Sequence, residues 1–376
     1  MHSSAPIMPT PPIAYLHDFR PLHAGARLCQ ADAVAWLQGA LVRAGGPGTG
    51  RARRLYERLG RTCGVKSRET VVGDYARADP RRMTLFRAGP GRSWRRPPLE
   101  ERMALYEAAS LRLAARAVPA GRAPDWLIQV SCTGYASPHA VQRLAGRRGW
   151  DSRILHLGHM GCHASLPAAA LAADLVRGAG RAGARARVFC VELCTLHLVP
   201  DAREDEQVVV NSLFGDGAVS FEASARPRPR SLALLAAAEA VLPGSEGDMV
   251  WRLADSAFVL GLSRAVPARV GAETAGFVAR FLKAQGLRLA DVAHYAIHPG
   301  GPRVIERVLQ ALDLPPSAAR HSKEVLRRRG NMSSCTLPFV WADMLKDPAV
   351  RPGDKILSLA FGPGLTTAAN LLEKRA

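Results

Sequence analysis

The sequence predicts an α/β fold. Short apolar runs of strand length alternate with longer stretches in which apolar residues recur at helical spacing, the pattern of strands covered by helices. This rhythm occurs twice, once on each side of Ala225-Arg226-Pro227-Arg228-Pro229-Arg230. Proline alternating with arginine cannot join a central strand, so the segment reads as a linker. It divides the chain into halves 1–225 and 226–376.

In the first half, largely aliphatic runs predict strands at Trp126–Ser131, 154–157, 188–192 and 218–222. Helical periodicity covers Leu99–Ala117, 138–147 and 165–179. Pro167 falls in the first turn of the last of these, where backbone N–H groups are unpaired in any case. In the second half, strands are expected at 231–238, 294–298 and 355–361, and helices at 268–284 and 302–312. Segments 45–54 and 87–98 are rich in Gly, Pro and Arg and read as loops. Just after the first loop, Arg54, Arg58 and Arg61 share one helical face.

With 376 residues, 48% hydrophobic and 22% charged, the chain is large enough for a substantial core and ordinary for a globular protein. No apolar run approaches the roughly 18 residues that span a bilayer. Residues 1–6 lack the basic start and apolar core of a signal peptide. The seven cysteines form no CxxC pair and no zinc-like spacing, so they read as reduced thiols and no metal site is expected. Together these features predict a cytoplasmic protein. The net charge of +19 raises nucleic-acid binding as an alternative. The arginines are scattered, however, and no basic helix with interleaved aromatics occurs. A basic surface equally suits the phosphates of an anionic substrate or an acidic carrier protein.

Three segments carry chemistry. Cys162 lies in Gly158-His159-Met160-Gly161-Cys162-His163-Ala164, between a strand and an Ala/Leu-rich helix. A cysteine on such a turn receives the positive end of the helix dipole, which favours the thiolate. His298 lies in Ile297-His298-Pro299-Gly300-Gly301-Pro302, and Asn331 in Gly330-Asn331-Met332-Ser333-Ser334. Singly, these are a core cysteine, a turn histidine and a left-handed turn asparagine. Together they are a nucleophile, a base and a hydrogen-bond donor that cannot lose its proton. His159 and His163, which flank the cysteine, read as structural.

These segments, with Cys132-Thr133-Gly134, Leu213-Phe214-Gly215-Asp216-Gly217 and Phe361-Gly362-Pro363-Gly364-Leu365-Thr366, occur in an order that resembles the type III polyketide synthases. These are the chalcone-synthase-like, homodimeric branch of the thiolase-fold condensing enzymes, and the chain looks like a bacterial member. The resemblance covers roughly residues 12 to 370. It implies a layered αβαβα thiolase fold of two duplicated halves. It also implies an acyltransferase that condenses an acyl-CoA starter iteratively with malonyl-CoA and cyclises the product to a pyrone, resorcinol or related polyphenol. Coenzyme A thioesters would be substrates, with no metal or prosthetic group, no nucleic-acid partner and no stable membrane insertion. Cys162 would carry the acyl group, while His298 and Asn331 would activate it and stabilise the enolate left by CO2 loss.

The resemblance places the gate between tunnel and cavity at Leu198 and Leu260, where plant members carry phenylalanines, which points to an aliphatic starter. Cys132, Cys194, His197, Trp251 and Ser333 would line the cavity, with Trp251 shortening or redirecting one arm. Glu192 would be buried nearby. Arg54, Arg58, Arg61 and Arg303 would hold coenzyme A phosphates, and Ser137 would reach the partner's cavity. A ketoacyl synthase that performs one condensation on a carrier-protein substrate shares the Cys, His and Asn and is the nearest alternative.

Overall fold

The computed structural model describes residues 14–77, 79–91 and 94–376, so the expectation for residues 1–6 lies outside the described residues. The strands are β1 (Ala14–Leu22), β2 (Ala26–Cys29), β3 (Ser67–Thr70), β4 (Trp126–Ser131), β5 (Arg153–Gly158), β6 (Arg185–Leu193) and β7 (Asp216–Ser224). They continue with β8 (Leu232–Val241), β9 (Met249–Leu253), β10 (Phe258–Leu262), β11 (His294–Ile297), β12 (Lys355–Gly362) and β13 (Thr366–Lys374). Nine of them form one sheet in the order β11-β12-β13-β8-β1-β7-β6-β4-β5. Outward from its centre, β1-β7-β6-β4 mirrors β8-β13-β12-β11. In both arms the outer pair is parallel and the inner pairs antiparallel. The arms join where β1 pairs antiparallel with β8.

Three apolar cores account for the layering. The central one holds helices Ser165–Gly178 and Thr336–Lys346 between the two arms, with Ile128, Val188, Ile356 and Ala360 facing them. Alternate residues of the same strands face outward. Leu127 and Phe189 meet helices Leu99–Ala117 and Ala140–Arg148, while Leu357 and Leu359 meet Val266–Lys283 and Pro302–Ala311. Strands buried on both faces read as continuous apolar runs, which is why β4 and β6 were visible in the sequence. The result is the αβαβα stack, closed at the middle by the β1–β8 seam.

The seven expected strands and five expected helices all form, with ends displaced by at most three residues. The loop expected at 45–54 is shorter, because helix Thr49–Thr62 begins inside it. Among the described residues, no helix is long and apolar enough to cross a membrane.

Trp341 ties the arms together. It comes from the second half, is fully buried, packs on Phe19 and Phe221 of the first half, and donates to Ser358 Oγ at 2.8 Å. Trp341→Ala leaves a large cavity and an unpaired hydroxyl, and should lower unfolding free energy by about 3–5 kcal/mol in urea titrations.

Candidate active site

Cys162 sits in a tight 3-10 turn, Gly161–His163, one residue ahead of the buried helix Ser165–Gly178. Gly161 has φ +80°, and a Cβ there would overlap the Pro363 ring. A Cβ on Gly362 would likewise overlap the ring of His163. The 362–364 loop and the nucleophile turn therefore fit together only because both positions are glycine.

His298 follows β11 directly, and Asn331 follows helix Arg320–Arg329. Asn331 is pinned by backbone bonds, its N–H to Leu213 O at 2.8 Å and its C=O from Gly215 N at 3.0 Å. Its Oδ1 accepts Ser333 N–H at 2.8 Å, which leaves the amide NH2 as the end free to meet the thiol. The motif 213–217 thus holds the asparagine.

Cys162, His298 and Asn331 open onto a single apolar cavity. Every expected wall residue lines it: Cys132, Cys194, His197, Leu198, Trp251, Leu260 and Ser333. Arg54, Arg58, Arg61 and Arg303 do not; all four are exposed, and Arg61 pairs with Glu57 at 3.4 Å. Phe214 also lines the cavity, a position not assigned to the wall from sequence although it stands inside a quoted motif.

The wall is specific. Trp251 and Leu260 are cross-strand partners on the β9–β10 hairpin, and Trp251 Nε1 donates to Cys132 O at 2.6 Å. His197 stacks on Phe258 with 4.5 Å between ring centroids. Its Nδ1 accepts Phe258 N–H at 3.0 Å, so its proton is on Nε2, which donates to Thr133 O at 2.7 Å. Burial lowers its pKa to about 4, so this is a neutral wall residue. Glu192 is fully buried and accepts Cys132 N–H at 3.0 Å, Thr133 Oγ1 at 2.9 Å and the Ser334 hydroxyl. Burial raises its pKa to about 7, against these bonds.

The expectation of a helix-lowered thiol is corrected by the structure. Burial pushes Cys162 up to about 12, although hydrogen bonds with Ser333 and Asn331 act in the opposite direction. Removing a thiolate from water outweighs these two hydrogen bonds, and the buried carboxylate of Glu192 acts with burial. Burial also lowers His298 to about 3, with the charge of His163 acting in the same sense. Neither ring nitrogen of His298 has a hydrogen-bond partner among the described residues. The resting pair is therefore a neutral thiol and a neutral imidazole, with two imidazole nitrogens left for a thiol proton and a substrate carbonyl. Among the described residues, no cluster of three His, Cys, Asp or Glu could hold a metal ion.

A family model for the C-terminal domain of chalcone and stilbene synthases matches residues 233–374. The 1,3,6,8-tetrahydroxynaphthalene synthase of Streptomyces peucetius subsp. caesius is 30% identical over 374 residues, 96% of this chain and 92% of that protein. The alpha-pyrone synthesis polyketide synthase-like Pks18 of Mycobacterium tuberculosis is 30% identical over 259 residues, 66% of this chain. That match spans 64% of the Mycobacterium protein, under two thirds of its length. The C-terminal type III polyketide synthase domain of Steely1, a type I/III hybrid from Dictyostelium, superimposes with a TM-score of 0.82 at 21% identity, covering 97% of this chain and all of that one. At that identity it speaks to fold alone.

A thiol raised to about 12 ionises only at high pH. Alkylation of Cys162 in the free protein, followed by peptide mass spectrometry, should therefore accelerate about tenfold per pH unit from 7 to 9. A plateau near pH 6–7 would instead mean a standing thiolate–imidazolium pair.

Proposed function

The chain belongs to the type III polyketide synthases, the family of the chalcone and stilbene synthases, and on that premise we propose that it condenses an acyl-CoA starter iteratively with malonyl-CoA and cyclises the product. The observation that carries this reading is the meeting of Cys162, His298 and Asn331 in one apolar cavity. A neutral imidazole with both nitrogens unpaired can take the thiol proton as the sulfur attacks the thioester carbonyl. After CO2 leaves malonyl-CoA, the enolate oxygen receives the Asn331 NH2 and the His298 N–H, donors of the kind worth about 3–4 kcal/mol each. The dry wall strengthens both interactions.

Coenzyme A thioesters are the substrates in this reading, and the steps use only thiol, imidazole and amide. The exposed Arg54, Arg58, Arg61 and Arg303 would hold the phosphates, an assignment supported by helix Thr49–Thr62 packing its end against Pro302 through Gly64. A homodimer is favoured by the free edge of β5 and by Tyr135, 69% exposed beside the Ser137 loop. All seven cysteines are free thiols, which suits the cytoplasm. The starter is aliphatic, because the gate residues are Leu198 and Leu260.

Incubation with malonyl-CoA and a panel of acyl-CoA starters should release cyclised products without any carrier protein. Cys162→Ala should cut this turnover by at least about a thousandfold. Strict dependence on a carrier, or turnover that survives the substitution, would overturn the reading. Trp251→Ala removes one wall of the starter arm and should shift relative kcat/KM about tenfold toward longer aliphatic starters, read by product mass spectrometry across the panel.

A further inference from the structure

We propose that His163 and Glu239 form a proton entry to the active site, an inference that rests on the condensing activity proposed above. His163, next to the nucleophile, is buried, and neither ring nitrogen has a hydrogen-bond partner among the described residues. Its Nε2 lies 3.3 Å from Glu239 Oε1, outside hydrogen-bond geometry but within ion-pair range. Glu239 is on β8 and its side chain is 39% exposed, so this carboxylate joins solvent to a ring in the interior. On the inner side, His163 follows Cys162 in the same tight turn, and Cys162 and His298 line one cavity. Gly362 carries no Cβ where the ring lies, so the backbone is built around an imidazole here.

The chemistry creates a need for such a route. In the first loading, the Cys162 sulfur bonds to the starter carbonyl carbon, the carbon–sulfur bond to coenzyme A breaks, and the thiol proton ends on the coenzyme A sulfur. No outside proton is used. In extension, the electron pair of the malonyl carbon–CO2 bond becomes the enolate and forms the new carbon–carbon bond. The acyl–Cys162 bond breaks and its pair stays on the sulfur, so the carboxylate charge of malonyl-CoA has become a thiolate. When that thiolate takes the lengthened chain back from coenzyme A, the departing coenzyme A sulfur has no thiol proton to receive. One proton per extension must therefore come from outside an apolar cavity. Glu239 takes it from water, His163 passes it inward, and His298 delivers it to the leaving sulfur. His163 acts through His298 and is a positioning and relay residue.

The two half-reactions separate this role from a merely structural one. Glu239→Gln and His163→Gln should each leave the rate of stoichiometric acyl loading onto Cys162, followed by intact-protein mass spectrometry, within twofold of wild type. Extension with malonyl-CoA should fall about tenfold at unchanged KM, with a larger solvent deuterium isotope effect. If both half-reactions fall together in both variants, or if Glu239→Gln changes neither, the relay is overturned. A wild-type chain that loads Cys162 but shows no isotope effect on extension would also overturn it. A wild-type chain that never loads Cys162 would instead sink the condensing-enzyme reading, and the relay with it.

Discussion

One buried carboxylate organises the site. Glu192, at the end of β6, accepts the Cys132 backbone N–H from the end of β4, the Thr133 hydroxyl beside it, and the Ser334 hydroxyl from the segment carrying Asn331. Cys132 extends the chain of dependence: its sulfur accepts Gly161 N–H at 2.9 Å and its carbonyl accepts Trp251 Nε1. The nucleophile turn, the starter wall and the asparagine loop are thus all hung from one side chain. Backbone and hydroxyl donors converge on this group, no cation pairs with it among the described residues, and burial holds its pKa near 7. A buried network of this kind is costly to disturb, since each donor left unpaired would face an apolar interior.

The same dryness explains the ionisation of the reacting groups. Desolvation drives Cys162 up and His298 down, so each prefers its neutral form. A neutral pair costs the fold less than a buried ion pair. It also keeps the two nitrogens of His298 open for substrate rather than committed to a resting salt bridge. Charge then develops only as the acyl donor arrives, against donors already in place.

The mirrored arms explain why a nucleophile and a donor far apart in sequence meet. Cys162 stands on a short turn before the central helix Ser165–Gly178, and Asn331 stands before another, Ser333–Cys335, leading into the central helix Thr336–Lys346. Cys132 follows β4, and His298 follows its mirror strand β11. Much of this was legible, because doubly buried strands and Gly-rich motifs announce themselves locally. β1 was not, because a central strand bearing His17 and Asp18 reads as polar. Its partners, Ser224 at 3.1 Å from His17 and Arg187 at 2.8 Å from Asp18, come from β7 and β6. β9 and β10 are short and half-exposed, and only their pairing makes Trp251 and Leu260 neighbours. Phe214 was hidden by the conformational demands of its motif, since a wall residue is defined by what lies across the cavity.

The arginine excess was legible as charge but not as architecture. Arg68 is fully buried and makes no ion pair among the described residues; its guanidinium donates to Asn211 O at 2.6 Å and Phe214 O at 2.9 Å, at the end of helix Asp205–Leu213. Arg102, also buried, donates to Leu196 O and Leu198 O. In each case one guanidinium nitrogen, Nη1, donates to two carbonyls of a turn that presents a cavity wall, Phe214 in the first and Leu198 in the second. A lysine in either place would bring a compact, strongly hydrated ammonium into the interior at a larger desolvation cost than the more weakly hydrated guanidinium. At these positions the composition that first suggests a polyanion-binding surface is instead the scaffold of an apolar pocket.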